Sequence, residues 1–316
     1  MKKPLIVLTG PTAVGKTKAS IGLAKALNGE IISADSMQVY KYMDIGSAKI
    51  RSEEMQGIKH YLVDVLEPEE EFNVVRFQQM AKKAMDEIYA KGKIPIVVGG
   101  TGFYIQALLY DIDFSENDED TSYREELEHL ATDKGAQYIH DMLREVDPES
   151  AESIHANNVK RVIRALEFYK QTGKKISDHN EKERGKESPY EFCYFVLNDD
   201  RKLLYDRIDS RIDKMLEEGL LEEVSALKNK GYTKDMVSMQ GLGYKEILDY
   251  LNGEYSLEEA VYILKRDTRH FAKRQLTWFR RERDVIWIDK NEYDHDEETI
   301  LDVMLSYVKE RINTIC

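Results

Sequence analysis

The chain has 316 residues, of which 42% are hydrophobic and 33% are charged. This composition is typical of a soluble globular protein. The length predicts one large core with a smaller second unit. No apolar run reaches the ~18 residues of a membrane span, and no apolar core of a signal peptide follows the start. The two cysteines, Cys193 and Cys316, form no zinc or CxxC spacing, so we expect a protein of the reducing cytoplasm. Since no apolar run is long enough, we also expect no contact with a membrane. Nothing indicates an obligate dimer, and we expect a monomer.

The net charge of −13 argues against indiscriminate binding to nucleic acid, because phosphate contacts need a positive surface. The charge is unevenly distributed, however. Residues 264–283 contain eight basic and two acidic side chains, whereas residues 113–128 contain eight acidic side chains and Arg124 as the single basic one. A basic segment on an acidic chain indicates one specific polyanionic partner.

A Gly-x-x-x-x-Gly-Lys-Thr motif stands near the start, between an apolar run at Pro4–Thr9 and helical periodicity at Lys18–Leu27. A strand, a glycine-rich turn and a helix are the context of a phosphate-binding P-loop. The N–H groups at the helix start face phosphate oxygens, the lysine adds positive charge, and the threonine hydroxyl is a ligand for Mg²⁺. The motif therefore predicts binding of a diphosphate or polyphosphate, with Mg²⁺ as cofactor, by Gly10, Pro11, Thr12, Ala13, Val14, Gly15, Lys16 and Thr17.

Further short apolar runs predict five more strands, at Glu30–Ala34, His60–Val65, Ile94–Val98, Phe192–Leu197 and Val285–Ile288. An amphipathic helix at Val74–Lys91 follows the pair Phe72-Asn73. Because helical segments separate the strands, the predicted fold class is α/β, a parallel sheet of the P-loop NTPase type flanked by helices.

Residues 114–189 show helical periodicity and turn signals at Asp147-Pro148 and Thr172-Gly173-Lys174, but no strand-like run. One crossover between parallel strands needs far fewer residues. We therefore predict a helical insertion domain at 114–189, between a first part of the P-loop core at 1–113 and a second part at 190–316.

Asp35 and Ser36 directly follow the second predicted strand, at the edge of the sheet where ligands bind in α/β proteins. From the residues alone, the Asp35 carboxylate fits the ligand shell of Mg²⁺, a Walker-B-type acid or a general base. It equally fits a helix N-cap, because Asp and Ser are favoured there.

The strand Ile94–Val98 ends in Gly99-Gly100-Thr101. An ATPase of the P-loop class usually has an acidic residue at the end of such a strand, so an ATPase is disfavoured while a kinase-like transferase remains open. The glycines Gly99, Gly100 and Gly102 are interpreted as room for a large substrate beside the backbone, which Thr101 and Tyr104 would touch.

Arg207 and Arg211 lie four residues apart on one face of the predicted helix Asp200–Glu218. They fit a phosphate clamp that stabilises a leaving group. They equally fit ion pairs with neighbouring acids, which are Asp206, Asp209 and Asp213.

Two predicted helices carry cationic faces. The first is formed by Lys160, Arg161 and Arg164, and the second by Lys273, Arg274, Trp278 and Arg281 with Gln275 nearby. Basic side chains with an interleaved aromatic ring suit phosphate contacts and base stacking, although a single such face is usually only solvated. The presence of two such cationic faces on one chain favours a nucleic-acid partner. The histidines show no spacing of metal ligands.

In their order along the chain, these motifs resemble those of the bacterial tRNA dimethylallyltransferases (tRNA isopentenyltransferases), nearly from end to end. Besides the P-loop, the resemblance is carried by Ser33–Tyr40, Asp44–Lys49, Val98–Tyr104, Lys160–Glu167, Asp206–Met215, Gly241–Glu246 and Lys273–Arg280. The P-loop alone fits many enzymes, but the ordered set is specific. Val14 replaces a common Ser and Lys160 a common Gln, and the mechanism requires neither side chain.

The resemblance implies transfer of a dimethylallyl group from dimethylallyl diphosphate to the exocyclic N6 amine of the adenosine 3′-adjacent to the anticodon in tRNA, with release of diphosphate. The P-loop then holds the leaving diphosphate, and no Walker-B acid is required. We expect Asp35 to act as the general base. Lys16, Thr17 with Mg²⁺, and Arg211 are expected to stabilise the negative charge of the diphosphate.

By the same resemblance, a set of residues is expected to contact the anticodon stem-loop of tRNA. They are Asp35, Ser36, Met37, Gln38, Thr101, Val159, Lys160, Arg161, Val162, Ile163, Gly241, Gly243, Tyr244, Lys245, Lys273, Arg274, Gln275, Trp278 and Arg280, together with Arg124. The adenine must leave the stacked loop to reach the site, as base-modifying enzymes generally require.

Two other functions compete with this one. A small-molecule kinase of the P-loop type would turn over ATP and would leave both cationic helices without a role. An RNA-binding module that uses its P-loop as a nucleotide switch would bind RNA without alkylating it.

Overall fold

The computed structural model describes residues 2–114 and 122–312 and divides the chain into two compact units. Unit 1 comprises the described parts of Met1–Leu109 and Pro189–Cys316, and unit 2 comprises Tyr110–Ser188. Unit 2 corresponds to the predicted helical insertion domain. In the structure it spans residues 110–188, compared with 114–189 in the sequence-based prediction. Cys316 and much of the acidic segment, residues 115–121, lie outside the described residues.

Across the described part of the chain, six strands form one parallel sheet in the order β3–β2–β4–β1–β5–β6. The strands are β1 (Lys3–Thr9), β2 (Gly29–Ser33), β3 (His60–Tyr61), β4 (Ile94–Gly99), β5 (Tyr190–Asn198) and β6 (Val285–Asp289). Leu5, Ile6 and Leu8 of the central β1 are fully buried, as expected where helices cover both faces of a sheet. The predicted parallel α/β fold is confirmed.

The predicted strand at His60–Val65 is wrong in its length, because β3 ends at Tyr61. Leu62 and Asp64 have φ values of 61° and 56°, and left-handed backbone interrupts an extended strand. The chain turns there, and the N–H groups of Val65 and Leu66 bond to the carbonyl of Val39 at 2.9 and 3.0 Å. Leu62 and Leu66 are buried in this turn whereas Val65 is exposed, and apolar composition alone does not distinguish such a turn from a strand.

Helices follow most strands of unit 1 and make up unit 2. They are α1 (Lys16–Ala26), α2 (Val74–Ala90), α3 (Gly102–Leu109), α4 (Ser122–Lys134), α5 (Ala136–Val146), α6 (Pro148–Ser153), α7 (Val159–Thr172), α8 (Ile176–Gly185), α9 (Arg201–Glu217), α10 (Leu220–Asn229), α11 (Tyr244–Leu251), α12 (Leu257–Phe279) and α13 (Glu297–Arg311). Side chains of Asn73, Asp200 and Ser256 cap the starts of α2, α9 and α12. None of the helices in the described residues has the length and apolar character that a membrane crossing needs.

The connections of the sheet open a crevice at the carboxyl ends of β1 and β4. From β1 the chain runs through α1 to β2 on one side, whereas from β4 it runs on to β5 on the other side. Ligands bind in α/β sheets at such switch points. The P-loop follows β1, Asp35 follows β2 and Thr101 follows β4, so all three reach this edge.

Unit 2 has a hydrophobic core of its own. Its buried residues are Leu127, Ile139, Leu143, Ala151, Val162, Ile163, Ala165, Leu166, Phe168 and Ile176. Asp147 is buried beside this core and caps α6. Its carboxylate accepts four hydrogen bonds, from the N–H and hydroxyl of Ser150 (3.1 and 2.7 Å) and of Ser177 (3.0 and 2.8 Å).

Candidate active site

A cleft of about 1200 Å³ in unit 1 lies at the carboxyl ends of β1, β2 and β4. Its walls are the P-loop, the segments 35–38 and 44–55, and one face each of α9 and α12. Sixteen of the predicted site residues line it, and they are Thr12, Ala13, Gly15, Lys16, Thr17, Asp35, Ser36, Met37, Gln38, Thr101, Arg211, Gly241, Gly243, Lys245, Arg274 and Gln275. The fold therefore brings residues from opposite ends of the sequence into one site.

The P-loop presents the uncapped N-terminus of α1 to the cleft. Within the described residues no side chain caps this helix, and no acid stands in its first turn, so its first N–H groups remain available to an anion. Gly10 has φ 144°, and a Cβ there would lie 2.4 Å from the carbonyl oxygen of Leu197. Behind the loop, the buried Lys290 Nζ approaches the Val14 carbonyl at 3.5 Å and pairs with Glu297 at 2.7 Å.

Lys16 folds back over the loop, and its Nζ donates to the carbonyls of Gly10 (2.9 Å) and Pro11 (2.8 Å). Burial and, to a smaller extent, the charge of Arg211 lower the pKa of Lys16 to about 8, while the carboxylate of Asp35 acts against both. Burial disfavours the charged form of an ammonium, and a neighbouring anion stabilises that charged form. The loop is therefore poised to receive a negatively charged group.

Thr17 offers an exposed hydroxyl at the start of α1, and the Asp35 carboxylate lines the same cleft. Nowhere in residues 2–114 and 122–312 do three or more His, Cys, Asp or Glu side chains form a metal cluster. Mg²⁺ commonly takes only one or two oxygens from a protein and the rest from phosphate and water. These two oxygen donors fit that mode of binding.

Asp35 caps a turn, and no helix begins at this point. Its Oδ1 accepts the N–H groups of Met37 (2.8 Å) and Gln38 (3.3 Å). Among the described residues, none donates a hydrogen bond to its Oδ2. The end of β2 is held against β4 by a bond of 2.8 Å from Ala34 N–H to the Val98 carbonyl. Asp35 is thus oriented through one oxygen and keeps the other for a ligand.

The two arginines of α9 have different partners. Arg207 Nη1 lies 2.5 Å from Oδ2 of the buried Asp199, which also accepts a bond from His295, so Arg207 belongs to an ion pair with an acid that the sequence analysis did not name. Arg211 lines the cleft instead. Burial by the cleft walls lowers its pKa, and Asp35 and Glu54 act in the opposite direction. Arg211 remains available to a phosphate group.

The glycines at the end of β4 and just after it make room for the protein itself, which corrects their interpretation as space for a substrate. A Cβ at Gly100 would lie 2.1 Å from Nε2 of Gln275, and one at Gly102 would lie 2.2 Å from Cδ1 of Trp278. A Cβ at Gly99 would overlap the backbone of the β2 end. The indole of Trp278 is therefore packed on Gly102 and is only partly open to a stacking base.

Helix α12 still presents the predicted cationic face. Lys273, Arg274 and Arg280 are exposed, and Arg274 also lines the cleft. Gln275 is buried, with 6% of its surface exposed. In this part of the predicted set, the charged side chains are those that remain accessible to RNA.

Tyr244 lies in the core of unit 1, which leaves its side chain no surface for RNA. Its hydroxyl donates to Glu223 at 2.8 Å. The Glu223 carboxylate also accepts the N–H groups of Asp44 (2.9 Å), Ile45 (2.8 Å) and Gly46 (3.1 Å). Glu223 and Tyr244 therefore hold the cleft-lining segment 44–46. Sequence reasoning missed Glu223, although the motif Asp44–Lys49 marked the segment.

In unit 2, some of the residues predicted to contact tRNA are buried and others are exposed. Val162 and Ile163 belong to its hydrophobic core, and Val159 packs partly against it. Lys160 and Arg161 are exposed. Arg124 forms a two-pronged ion pair with Glu167, with bonds of 3.0 and 2.8 Å, so its guanidinium is already engaged. Arg124 is exposed as well, but it shares its charge with Glu167, so Lys160 and Arg161 are the better candidates for phosphate contacts in this set.

Known proteins are similar to this chain over nearly its whole length. The family model described as IPP transferase matches residues 38–282. A tRNA dimethylallyltransferase of Lachnoclostridium phytofermentans is 65% identical over 309 residues, which cover 98% of each chain. One of Acetivibrio thermocellus is 57% identical over 296 residues, which cover 94% of this chain and 95% of the relative.

Solved structures agree with the fold. The tRNA isopentenylpyrophosphate transferase of Bacillus halodurans is 44% identical, with a TM-score of 0.74 and 99% of both chains covered. A eukaryotic dimethylallyltransferase, solved in crystallographic snapshots of its action on tRNA, is 30% identical with a TM-score of 0.82, covering 98% of this chain and 80% of that one. The sheet of the P-loop NTPase type and the resemblance of the motifs are both confirmed, and the chain belongs to the IPP transferase family.

Proposed function

We propose that the chain is a tRNA dimethylallyltransferase, which moves a dimethylallyl group from dimethylallyl diphosphate to N6 of the adenosine 3′-adjacent to the anticodon and releases diphosphate. The observation that carries this proposal is the meeting of an uncapped P-loop, the Asp35 carboxylate and the basic helix α12 around one cleft. The names of the relatives at 65% and 57% identity support it.

The P-loop is suited to the leaving diphosphate. Its first N–H groups, the ammonium of Lys16 and the guanidinium of Arg211 face the same cleft, and donors placed where charge develops stabilise a transition state most. Thr17 would hold Mg²⁺, which when bound supplies further positive charge beside the diphosphate, and Asp35 is left free for the acceptor.

Asp35 is suited to the acceptor. The N6 amine of adenine is a weak nucleophile, because its lone pair is delocalised into the ring. In the proposed step, the N6–C1 bond forms while the C1–O bond breaks, the bonding electrons leave with the diphosphate oxygen, and the N6 proton passes to Asp35 Oδ2. The two N–H bonds to Oδ1 keep the carboxylate in place.

The exposed cations account for the choice of a polyanionic acceptor. Lys273 and Arg274 on α12, Arg280 directly after it, and Lys160 and Arg161 on α7 suit the phosphates of an anticodon stem-loop. We propose that the enzyme acts on it as a monomer in the cytoplasm.

The test is incubation with unmodified tRNA, labelled dimethylallyl diphosphate and Mg²⁺, with labelled ATP in a parallel reaction. We expect label to move from the prenyl donor into tRNA, at the adenosine beside the anticodon, and no phosphate transfer from ATP. Absence of prenyl transfer together with ATP-dependent phosphorylation of a small acceptor would replace the proposal with the kinase function.

A further inference from the structure

Gln275 differs from its neighbours on α12. Lys273 and Arg274 are exposed, whereas Gln275 keeps only 6% of its surface exposed. A buried amide needs partners for both of its ends. The partners of Gln275 are therefore more informative about its role than its position in a basic helix.

The side chain of Gln275 joins two loops that are far apart in the sequence. Its Oε1 accepts the N–H of Thr12 in the P-loop at 2.9 Å. Its Nε2 donates to the carbonyl of Gly100, in the loop after β4, at 3.0 Å. One amide thus fixes the loop that follows β1 against the loop that follows β4.

The backbone is adapted to this bridge. Gly100 approaches Gln275 so closely that a Cβ would stand 2.1 Å from Nε2. One helical turn further, Trp278 of α12 packs on Gly102. The glycines of this loop therefore permit α12 to dock, and Gln275 forms the polar part of the contact.

The bond to Thr12 bears on phosphate binding. It occupies one N–H of the P-loop, so that N–H is not available to a diphosphate, and it fixes the residue next to Ala13, whose φ is 64°. A non-glycine residue in that region keeps its conformation only where its surroundings hold it. The N–H groups that follow, at the start of α1, are those left for the anion.

We propose that Gln275 is a positioning residue, which holds the P-loop against the loop after β4 and so places the diphosphate relative to Asp35, and that it does not contact RNA. This inference rests on the proposed function in its reference to Asp35 and tRNA. The expected effect is on the donor side of the reaction, because both partners of Gln275 belong to loops that border the diphosphate site.

Only one common side chain of this length supplies an acceptor and a donor at its end. Gln275→Glu keeps an acceptor for Thr12 but sets a carboxylate oxygen against the Gly100 carbonyl. Gln275→Leu removes both bonds at similar volume. Gln78→Leu is the matched control, because Gln78 is also a buried glutamine, on α2, and its Nε2 donates to the Ala107 carbonyl at 2.8 Å.

The experiment measures, for each variant, the affinity for inorganic diphosphate with Mg²⁺ and the affinity for an unmodified anticodon stem-loop, both by calorimetry. We expect both Gln275 variants to bind diphosphate roughly 10- to 100-fold more weakly, because the ligand must then order a loop that has lost one or both of its two hydrogen bonds to Gln275. Stem-loop affinity should stay within about 3-fold, and Gln78→Leu should change neither affinity. Steady-state kinetics should show a raised KM for the prenyl donor and an unchanged KM for tRNA.

Three results would overturn the inference. Weaker stem-loop binding with unchanged diphosphate binding would make Gln275 an RNA contact. Equal losses in both would mean that it serves the fold in general, and no change in either would remove any positioning role. If Gln275→Leu does not fold, Gly100→Ala replaces it, because its Cβ displaces Nε2 and should give the same selective loss.

Failure of the proposed function is distinguishable from failure of this inference. Diphosphate binding requires no prenyl transfer, so wild-type protein that binds diphosphate but does not label tRNA would refute the function alone. In that case, the selective loss in the Gln275 variants would still test the bridge.

Discussion

The two units of the chain use aspartate in opposite ways. Asp147 of unit 2 is fully buried, and its two oxygens accept four hydrogen bonds from Ser150 and Ser177. Asp35 of unit 1 is half-buried and accepts two N–H bonds, both at Oδ1. The first carboxylate is saturated within its unit, and the second retains an oxygen that nothing in the described residues occupies.

This difference separates a structural carboxylate from a reactive one. A saturated buried group stabilises its surroundings, and losing one partner leaves the others unsatisfied. A group fixed through one atom and open at another can bind or abstract a proton without rearrangement. Changes at Asp147 should therefore alter stability, and changes at Asp35 should alter reactivity.

Asp35→Asn should have the largest effect. The amide keeps an acceptor for the N–H groups of Met37 and Gln38 but is no base, so we expect the rate of prenyl transfer to fall about 100- to 10,000-fold. Single-turnover transfer of label into tRNA measures this rate. The tRNA affinity should stay within a few-fold and the melting temperature close to that of wild type. A variant with full activity would remove Asp35 as the general base.

Asp147→Ala should show the reverse pattern. Four donors lose their acceptor, and we expect a loss of roughly 3 kcal/mol in the free energy of unfolding, measured by urea denaturation, with transfer per folded molecule unchanged. Burial opposes ionisation, but the bonds from Ser150 and Ser177 lower the pKa of Asp147 below its ordinary 3.8. Its contribution is therefore complete above that value and is lost as the pH falls through the folded pKa. A stability gap that widens in acid would contradict this assignment.

Paired charge reversals should compare the two units as RNA-binding surfaces. Lys273→Glu with Arg274→Glu alters unit 1, and Lys160→Glu with Arg161→Glu alters unit 2. We expect each pair to weaken stem-loop binding roughly 10-fold and to lower the salt dependence by about 1 for each phosphate that the protein no longer neutralises. Titrations at several salt concentrations measure both quantities.

The control for these reversals is Lys83→Glu, which changes an exposed lysine of α2 away from the cleft. It should leave the binding curve in place. Unchanged binding in the unit 1 pair alone would assign the RNA contact to the helix α7, and the opposite result would assign it to α12.

Lys16 should give the smallest effect, a gradual dependence of donor binding on pH. Burial sets its pKa at about 8 in the free protein, and a bound anion raises it again. Affinity for an unreactive thio-analogue of dimethylallyl diphosphate should therefore fall about 5-fold between pH 8 and pH 9. Calorimetry in buffers of different ionisation enthalpy should detect proton uptake on binding near pH 8. Lys16→Arg should bind without this dependence, because arginine stays charged.

Local features of the site could be predicted from the sequence. The P-loop is a contiguous motif whose function lies in its backbone, and apolar runs locate most strands of a buried sheet. The network that shapes the cleft has no such signature. Gln275 and Thr12 are 263 positions apart, and Glu223 and Ile45 are 178 apart. Pairs of this kind are determined by tertiary packing, which a single sequence does not reveal.

Resemblance to a family indicates which positions belong to a functional motif, but it does not show whether their side chains are exposed. It marked Tyr244, Val162 and Ile163 as RNA contacts, yet all three are buried in the cores of their units. Helical periodicity could have warned of this for Val162 and Ile163, since both fall on the apolar face of α7. For Gly100 and Gly102, nothing in the sequence distinguishes room for a substrate from room for Gln275 and Trp278.

The discontinuity of unit 1 has a consequence for the order in which the chain matures on the ribosome. Strand β1 is made first, but it lies between β4 and β5, and the whole of unit 2 is synthesised between those two partners. Unit 2 has its core partners close together in sequence and can collapse as it emerges, whereas β1 must wait for β5. Lys290, which supports the Val14 carbonyl, arrives later still. The phosphate-binding loop is therefore among the first segments translated and among the last to be completed.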